Sequence, residues 1–161
     1  MHAWLLQYRY PYIGMIIQVY SSNKQQPMKQ CSVVLVDDDS DDMALLKEAM
    51  EESGKFNIIA ECDAEDELID VLQHADNLPD AIICDLNMPA KTGIEVHNDL
   101  RSLDSFADIP FILMSGMGPS PSVEIKAAEE GLTTVMIKPS SISGYYDFCV
   151  QLYSILVEKR A

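Results

Sequence analysis

The run Ala81-Ile82-Ile83-Cys84-Asp85-Leu86-Asn87-Met88-Pro89 sets the architecture expected of this chain. Four apolar residues lead directly into one aspartate. Pro89 has no N–H to give and stops further regular pairing. An apolar run of this length reads as a strand buried on both faces, the kind found in parallel sheets. Asp85 then stands at the carboxyl end of a buried strand, the edge where open α/β sheets bind ligands. The plainer reading makes Asp85 a cap for the loop or the next helix. What the other strand ends carry decides between the two.

Outward from this run the chain alternates. Toward the N-terminus the pattern predicts a strand over 33–36 and a helix over 40–53, with Met43, Leu46, Ala49 and Met50 on one face and Gly54 just past its end. A strand over 56–62 follows, then a helix over 65–75 that buries Leu68, Ile69 and Leu72, with Asp63 as its N-cap. Beyond the central strand come a helix over 93–103, a strand over 110–114 and a short helix over 123–130. A strand over 133–137 and a last helix over 145–158 complete the series, with Phe148, Cys149, Leu152, Ile155 and Leu156 facing inward. Five β-α units in strict alternation imply an α/β fold: a doubly wound, five-stranded parallel sheet in a three-layer αβα sandwich. Right-handed crossovers leave few arrangements, and the flavodoxin-like strand order 2-1-3-4-5 is the one expected.

The 161 residues suit one domain with a proper core, and 48% hydrophobic against 23% charged residues marks a globular chain. A net charge of −15 argues against nucleic-acid binding by this chain alone, and suits one that carries a metal cation or docks on a basic partner. Cys31, Cys62, Cys84 and Cys149 show no CxxC pair and no zinc-type spacing, and read as buried reduced thiols of a cytoplasmic protein.

Residues 1–30 stand apart as an arm and linker before a domain over 31–161. The first twenty residues are aromatic and apolar, but Arg9, Pro11 and Gly14 interrupt them, so no membrane span is expected. They lack the basic start and small-residue cleavage site of a secretory signal. The preferred account makes Met28 the natural start and the upstream part an over-long gene model; the other makes it a real arm packed on the domain or a partner.

The strand ends carry Asp37-Asp38-Asp39, Asp85, Ser115-Gly116 and Lys138-Pro139. In a parallel sheet all lie on one edge, so several carboxylates, a hydroxyl and an ammonium can converge. Clustered carboxylates repel, and a divalent cation resolves the conflict. Mg2+ takes hard oxygen ligands and keeps several waters. Asp38 and Asp85 can each supply one oxygen, the backbone carbonyl of Asn87 a third, and Asp37 can hold a metal-bound water. Lys138 and the Ser115 hydroxyl suit phosphoryl oxygens, and Asp85 has room to act as nucleophile. Three consecutive acids exceed what a helix start needs, so Asp37 to Asp39 are read as metal-binding rather than dipole-compensating. Asp41 and Asp42, in the first helical turn, are read as solvated or dipole-compensating. His97 reads as a packing residue and His74 as a surface one.

The motifs Val36-Asp37-Asp38-Asp39, Asp85-Leu86-Asn87-Met88-Pro89, Ile112-Leu113-Met114-Ser115-Gly116 and Ile137-Lys138-Pro139 together resemble the receiver domain of two-component response regulators. The likeness spans residues 31–158 and is similar to chemotaxis regulators and, more so, to stand-alone regulators of the phytochrome-partner kind. It implies Asp85 as phosphoacceptor, Asp37 and Asp38 in Mg2+ binding, Ser115 as the phosphate-sensing hydroxyl and Lys138 as the family's lysine. It further implies a histidine kinase or histidine phosphotransfer protein as donor, and signalling through changed protein binding rather than as an enzyme. Dimerisation through the fourth or fifth helix is common in the family. Val135 stands where many receivers carry a Tyr or Phe that swings inward, Ser115 where Thr is commoner, and Met117 where side chains tune dephosphorylation. Two other readings compete. A haloacid-dehalogenase-like phosphatase would place its nucleophile at Asp37, but Asp41 stands where its Thr or Val belongs. A pseudo-receiver would only bind partners.

Overall fold

The computed structural model describes residues 29–117 and 134–158. Within them lie five strands, β1 (Cys31–Val36), β2 (Phe56–Cys62), β3 (Ala81–Asp85), β4 (Phe111–Ser115) and β5 (Thr134–Ile137), and four helices, α1 (Ser40–Ser53), α2 (Glu65–His74), α3 (Gly93–Arg101) and α4 (Ile142–Glu158). The strands form one parallel sheet in the order β2-β1-β3-β4-β5, the flavodoxin-like order expected. The helix expected over 123–130 lies outside the described residues, as do residues 1–28.

Strand side chains alternate between two cores. Val33, Leu35, Ala81, Ile83, Ile112 and Met114 pack on one face with Leu46 and Met50 of α1 and Phe148 and Leu152 of α4. Val34, Val36, Ile82, Cys84, Phe111 and Leu113 pack on the other with Leu68 and Leu72 of α2 and Val96 and Leu100 of α3. This two-sided burial is why β1, β3 and β4 read as continuous apolar runs. β2, at the sheet edge, alternates buried and exposed positions instead, and its pairing with β1 slips by one residue between Val33 and Val34.

Helix ends follow local chemistry. Asp39 caps α1 by accepting from the N–H groups of Asp41 (2.9 Å) and Asp42 (3.2 Å), and Gly54 ends it at φ 63°, a left-handed conformation that favours glycine. Thr92 and Glu95 form a reciprocal capping box at the start of α3. The expected cap of α2 is corrected: Ala64 is the N-cap, with no side-chain bond, and the Asp63 N–H instead donates to Glu67 Oε2 at 3.1 Å. α4 begins three residues earlier than expected, because the Ser141 hydroxyl accepts from the Gly144 N–H at 3.2 Å and supplies a start signal. Ile69 and Ile155 are half-buried at the edges of the cores rather than inside them.

Candidate functional site

The parallel register brings the carboxyl ends of β1, β3, β4 and β5 to one edge. Asp85 is the last residue of β3 and 6% exposed; its Oδ2 accepts the Asn87 N–H at 2.7 Å. Asp37 directly follows β1 and is also buried; its own N–H donates to Cys62 O, and its Oδ1 accepts the Asp39 N–H at 3.0 Å. Asp38 is exposed at the rim. One carboxylate oxygen from each of Asp37, Asp38 and Asp85 lies within 4.8 Å of the others.

Lys138, directly after β5, is held by a bond from its N–H to Ser115 O at 2.7 Å. Its Nζ spans three carboxylates: Asp37 Oδ2 at 2.7 Å, Asp42 Oδ2 at 2.8 Å and Asp85 Oδ1 at 3.2 Å. Burial works against the ammonium, but the bonds to Asp37 and Asp42 and the charge of Asp85 outweigh it and hold its pKa above the ordinary value. For Asp37 the balance falls the other way: burial outweighs the bonds from Lys138 and the Asp39 N–H, and raises its pKa.

Ser115 ends β4 and is buried, but its hydroxyl donates to the Met117 carbonyl rather than toward the carboxylates. Asn87 sits exposed in the loop after β3. Gly93 fixes where that loop can go: a β-carbon there would lie 2.4 Å from Asp85 O and 2.5 Å from Leu113 Cδ2. The Gly93 N–H donates to Leu86 O at 3.0 Å, so the start of α3 seats directly on the end of β3.

Two sequence readings need correction. Asp39 is the α1 cap and not a member of the acidic group, because its side chain is turned to the helix N–H groups. Asp42 is not merely solvated: it binds Lys138, and its Oδ1 accepts from the buried Tyr145 hydroxyl at 3.2 Å. No local signal exposes that role, which depends on a lysine and a tyrosine from the far end of the chain. His97 is buried edge-on to Phe111 (5.2 Å between ring centroids), a packing role as expected, and His74 is exposed. Val135 is half-buried against the α2/α3 core.

The residues fit a divalent cation. Three carboxylates pair with one ammonium, Asp38 adds a fourth beside Asp37 and Asp85, and buried Asp37 Oδ2 makes no well-aligned hydrogen bond, only the ion pair with Lys138. Such an acidic excess, with hard oxygen donors alone, matches the ligand preference of Mg2+.

Residues 33–145 match the family model described as the response regulator receiver domain. The chain belongs to this family. Receiver domains are signalling modules rather than conventional enzymes, and the family match sets aside the haloacid-dehalogenase-like reading. Over 107 residues the receiver domain is 34% identical to the transcriptional regulatory protein PrrA of Mycobacterium tuberculosis, covering 66% of this chain and 43% of PrrA. The chain thus spans less than half of that relative's length. It is 30% identical over 116 residues to the chemotaxis protein CheY of Halobacterium salinarum, covering 71% of this chain and 93% of CheY. Among solved structures, the phosphorylated cyanobacterial phytochrome response regulator RcpA superposes with a TM-score of 0.69 at 19% identity, covering 81% of this chain and 96% of RcpA. At that identity the likeness speaks for the fold. Among the described residues no helix is long and apolar enough to cross a membrane.

Proposed function

We propose that this receiver domain accepts a phosphoryl group on Asp85 from a phosphohistidine of a histidine kinase or phosphotransfer protein, and signals by changed protein binding. The observation that carries the reading is the placement of Asp85: buried at a strand end, grouped with Asp37 and Asp38, and joined to Lys138 at 3.2 Å. Asp38, Asp85 and the Asn87 carbonyl would hold Mg2+, with Asp37 holding a bound water. When bound, the cation supplies charge neutralisation at the phosphoryl oxygens. The chain's own residues do the rest. An Asp85 oxygen forms the new O–P bond as the donor's P–N bond breaks, and the imidazole keeps the electron pair and takes up a proton. Lys138 offsets the negative charge on the transferring group, and the Ser115 hydroxyl, exchanging its Met117 carbonyl partner, donates to a phosphoryl oxygen. The Asn87 N–H holds Asp85 in place for attack. Phosphorylation then shifts the population between two arrangements of the surface near β4, β5 and α4. RcpA, solved in phosphorylated form, lends support by analogy.

Incubation with acetyl phosphate and Mg2+, followed by borohydride trapping and peptide mapping, tests this. Label at Asp85, lost in Asp85→Asn, is the expected result. Label on Asp37 would overturn the assignment of Asp85, and no label, under conditions where beryllofluoride also fails to bind, would return the chain to a partner-binding pseudo-receiver.

A further inference from the structure

In this structure the Lys138 ammonium pairs with three carboxylates at 2.7, 2.8 and 3.2 Å. Two of the three belong to the site expected from sequence. The third, Asp42, lies on α1, and its other oxygen holds the hydroxyl of Tyr145 in the first turn of α4. Tyr145 is 1% exposed, so its phenol has few other places to go. A continuous chain of polar contacts therefore runs from Asp85 through Lys138 and Asp42 to the start of the last helix.

A phosphoryl group on Asp85 adds oxygens for an ammonium that already neutralises three carboxylates. The 3.2 Å contact to Asp85 can pass to one phosphoryl oxygen, and a second phosphoryl contact draws on Asp37 or Asp42. Asp37 is a poor candidate, because its side chain is 3% exposed and would be left buried without a counter-charge. The Asp42 side chain is 34% exposed, so water can replace Lys138 there at small cost. Burial of the Tyr145 phenol, with the Asp42 carboxylate beside it, pushes the phenol up to about 12, so it stays a proton donor to Asp42 throughout the neutral range.

We propose that Asp42 is a positioning residue that competes with the phosphoryl group for Lys138, and that its hydrogen bond to Tyr145 transmits the outcome to α4. The proposal rests on Asp85 as the acceptor. It assigns to an acid–lysine–tyrosine latch the coupling that an aromatic side chain at the Val135 position would otherwise supply. In the unphosphorylated state the latch is closed, Lys138 is shared, and the α4 start is tied to α1. In the phosphorylated state Lys138 turns to the phosphoryl oxygens, Asp42 is hydrated, and the Tyr145 contact is set free to rearrange.

The test is beryllofluoride binding to the full chain in the presence of Mg2+, followed by amide NMR. Asp42→Asn keeps the shape but removes the competing charge, so it should bind the mimic about three- to fivefold more tightly than wild type, the effect of losing one partly exposed ion pair. Asp41→Asn removes the same charge one residue away from a side chain that is not among the partners of Lys138. It should leave affinity within twofold of wild type, which separates the latch from general charge. In wild type the mimic should shift the Gly144, Tyr145 and Tyr146 amides. Tyr145→Phe should lose at least half of that shift while keeping the shift at Asn87. Equal affinity of wild type and Asp42→Asn, equal gains in both Asn variants, or full α4 shifts in Tyr145→Phe would each overturn the latch while leaving Asp85 as acceptor. Failure of wild type to bind the mimic would overturn the acceptor reading, and the latch with it.

Discussion

A β-carbon on Gly93 would sit 2.4 Å from the carbonyl oxygen of Asp85. Helix α3 therefore approaches β3 as closely as backbone allows, and the loop between them, which carries Asn87, is pinned at both ends. Gly93→Ala must push backbone against backbone, which no rotamer change can relieve. It should cost about 2–4 kcal/mol of stability, read as a lower urea midpoint. Gly116→Ala, with nothing within 4 Å of its added carbon, serves as the tolerant comparison.

Asp37 should oppose folding at neutral pH in the absence of metal. Its pKa is raised by burial, so the group favours the fold only below the ordinary carboxylate pKa and loses that contribution as pH rises through the folded value. Asp37→Asn keeps an oxygen for the Asp39 N–H and removes the buried charge. It should raise stability at pH 7 without Mg2+. Wild type should gain about 2.7 kcal/mol at a Mg2+ concentration 100 times its Kd, and the variant should gain much less. Paired thermal melts with EDTA and with Mg2+ check both expectations.

Lys138→Met should separate the two roles of the lysine. It leaves buried Asp37 and Asp85 without their cationic partner and should cost about 3–5 kcal/mol in EDTA. It also removes a positive charge from beside the acidic group, so Mg2+ should bind several-fold more tightly and restore part of the lost stability. Calorimetric titration of Mg2+ measures the affinity change, and a weaker affinity in the variant would contradict the charge balance described for the site.

The buried thiols make an alkaline prediction. Burial pushes Cys62 and Cys149 each up to about 11. A folded pKa above the unfolded one means stability is intact below about pH 9 and falls as pH rises toward 11. The urea midpoint under reducing conditions should decline across that window, and less so in Cys149→Ala. All four cysteines are buried, so native protein should resist thiol reagents at pH 8 that label all four after denaturation.

Much of this was legible in residue order because the cores are two-sided. A run such as Ala81 to Cys84 can be buried on both faces only in a covered parallel sheet, and alternation of strands with helices then forces the strand ends to one edge. Asp37, Asp38, Asp85 and Lys138 could be grouped on that ground alone. Asp42 could not, since two acids in a first helical turn have an ordinary explanation in the helix dipole. Only the crossing of α1 and α4 reveals that one of them meets Tyr145 and Lys138. Asp39 deceives for the converse reason: its neighbours belong to the acidic group, but its backbone conformation makes it a cap. The sequence hides the start of α4 because Ser141 acts on an N–H three residues ahead, a signal weaker than the apolar face that begins at Tyr145.

The bonds that fix Asp37 and Asp85 come from the main-chain N–H groups of Asp39 and Asn87, with Lys138 holding the two side chains together. Backbone and lysine contacts alone suffice to group these side chains. Under the proposed function, occupation would demand dehydration of the incoming cation but little rearrangement of the polypeptide, so the speed of the response would be governed by how often a phosphorylated donor is encountered.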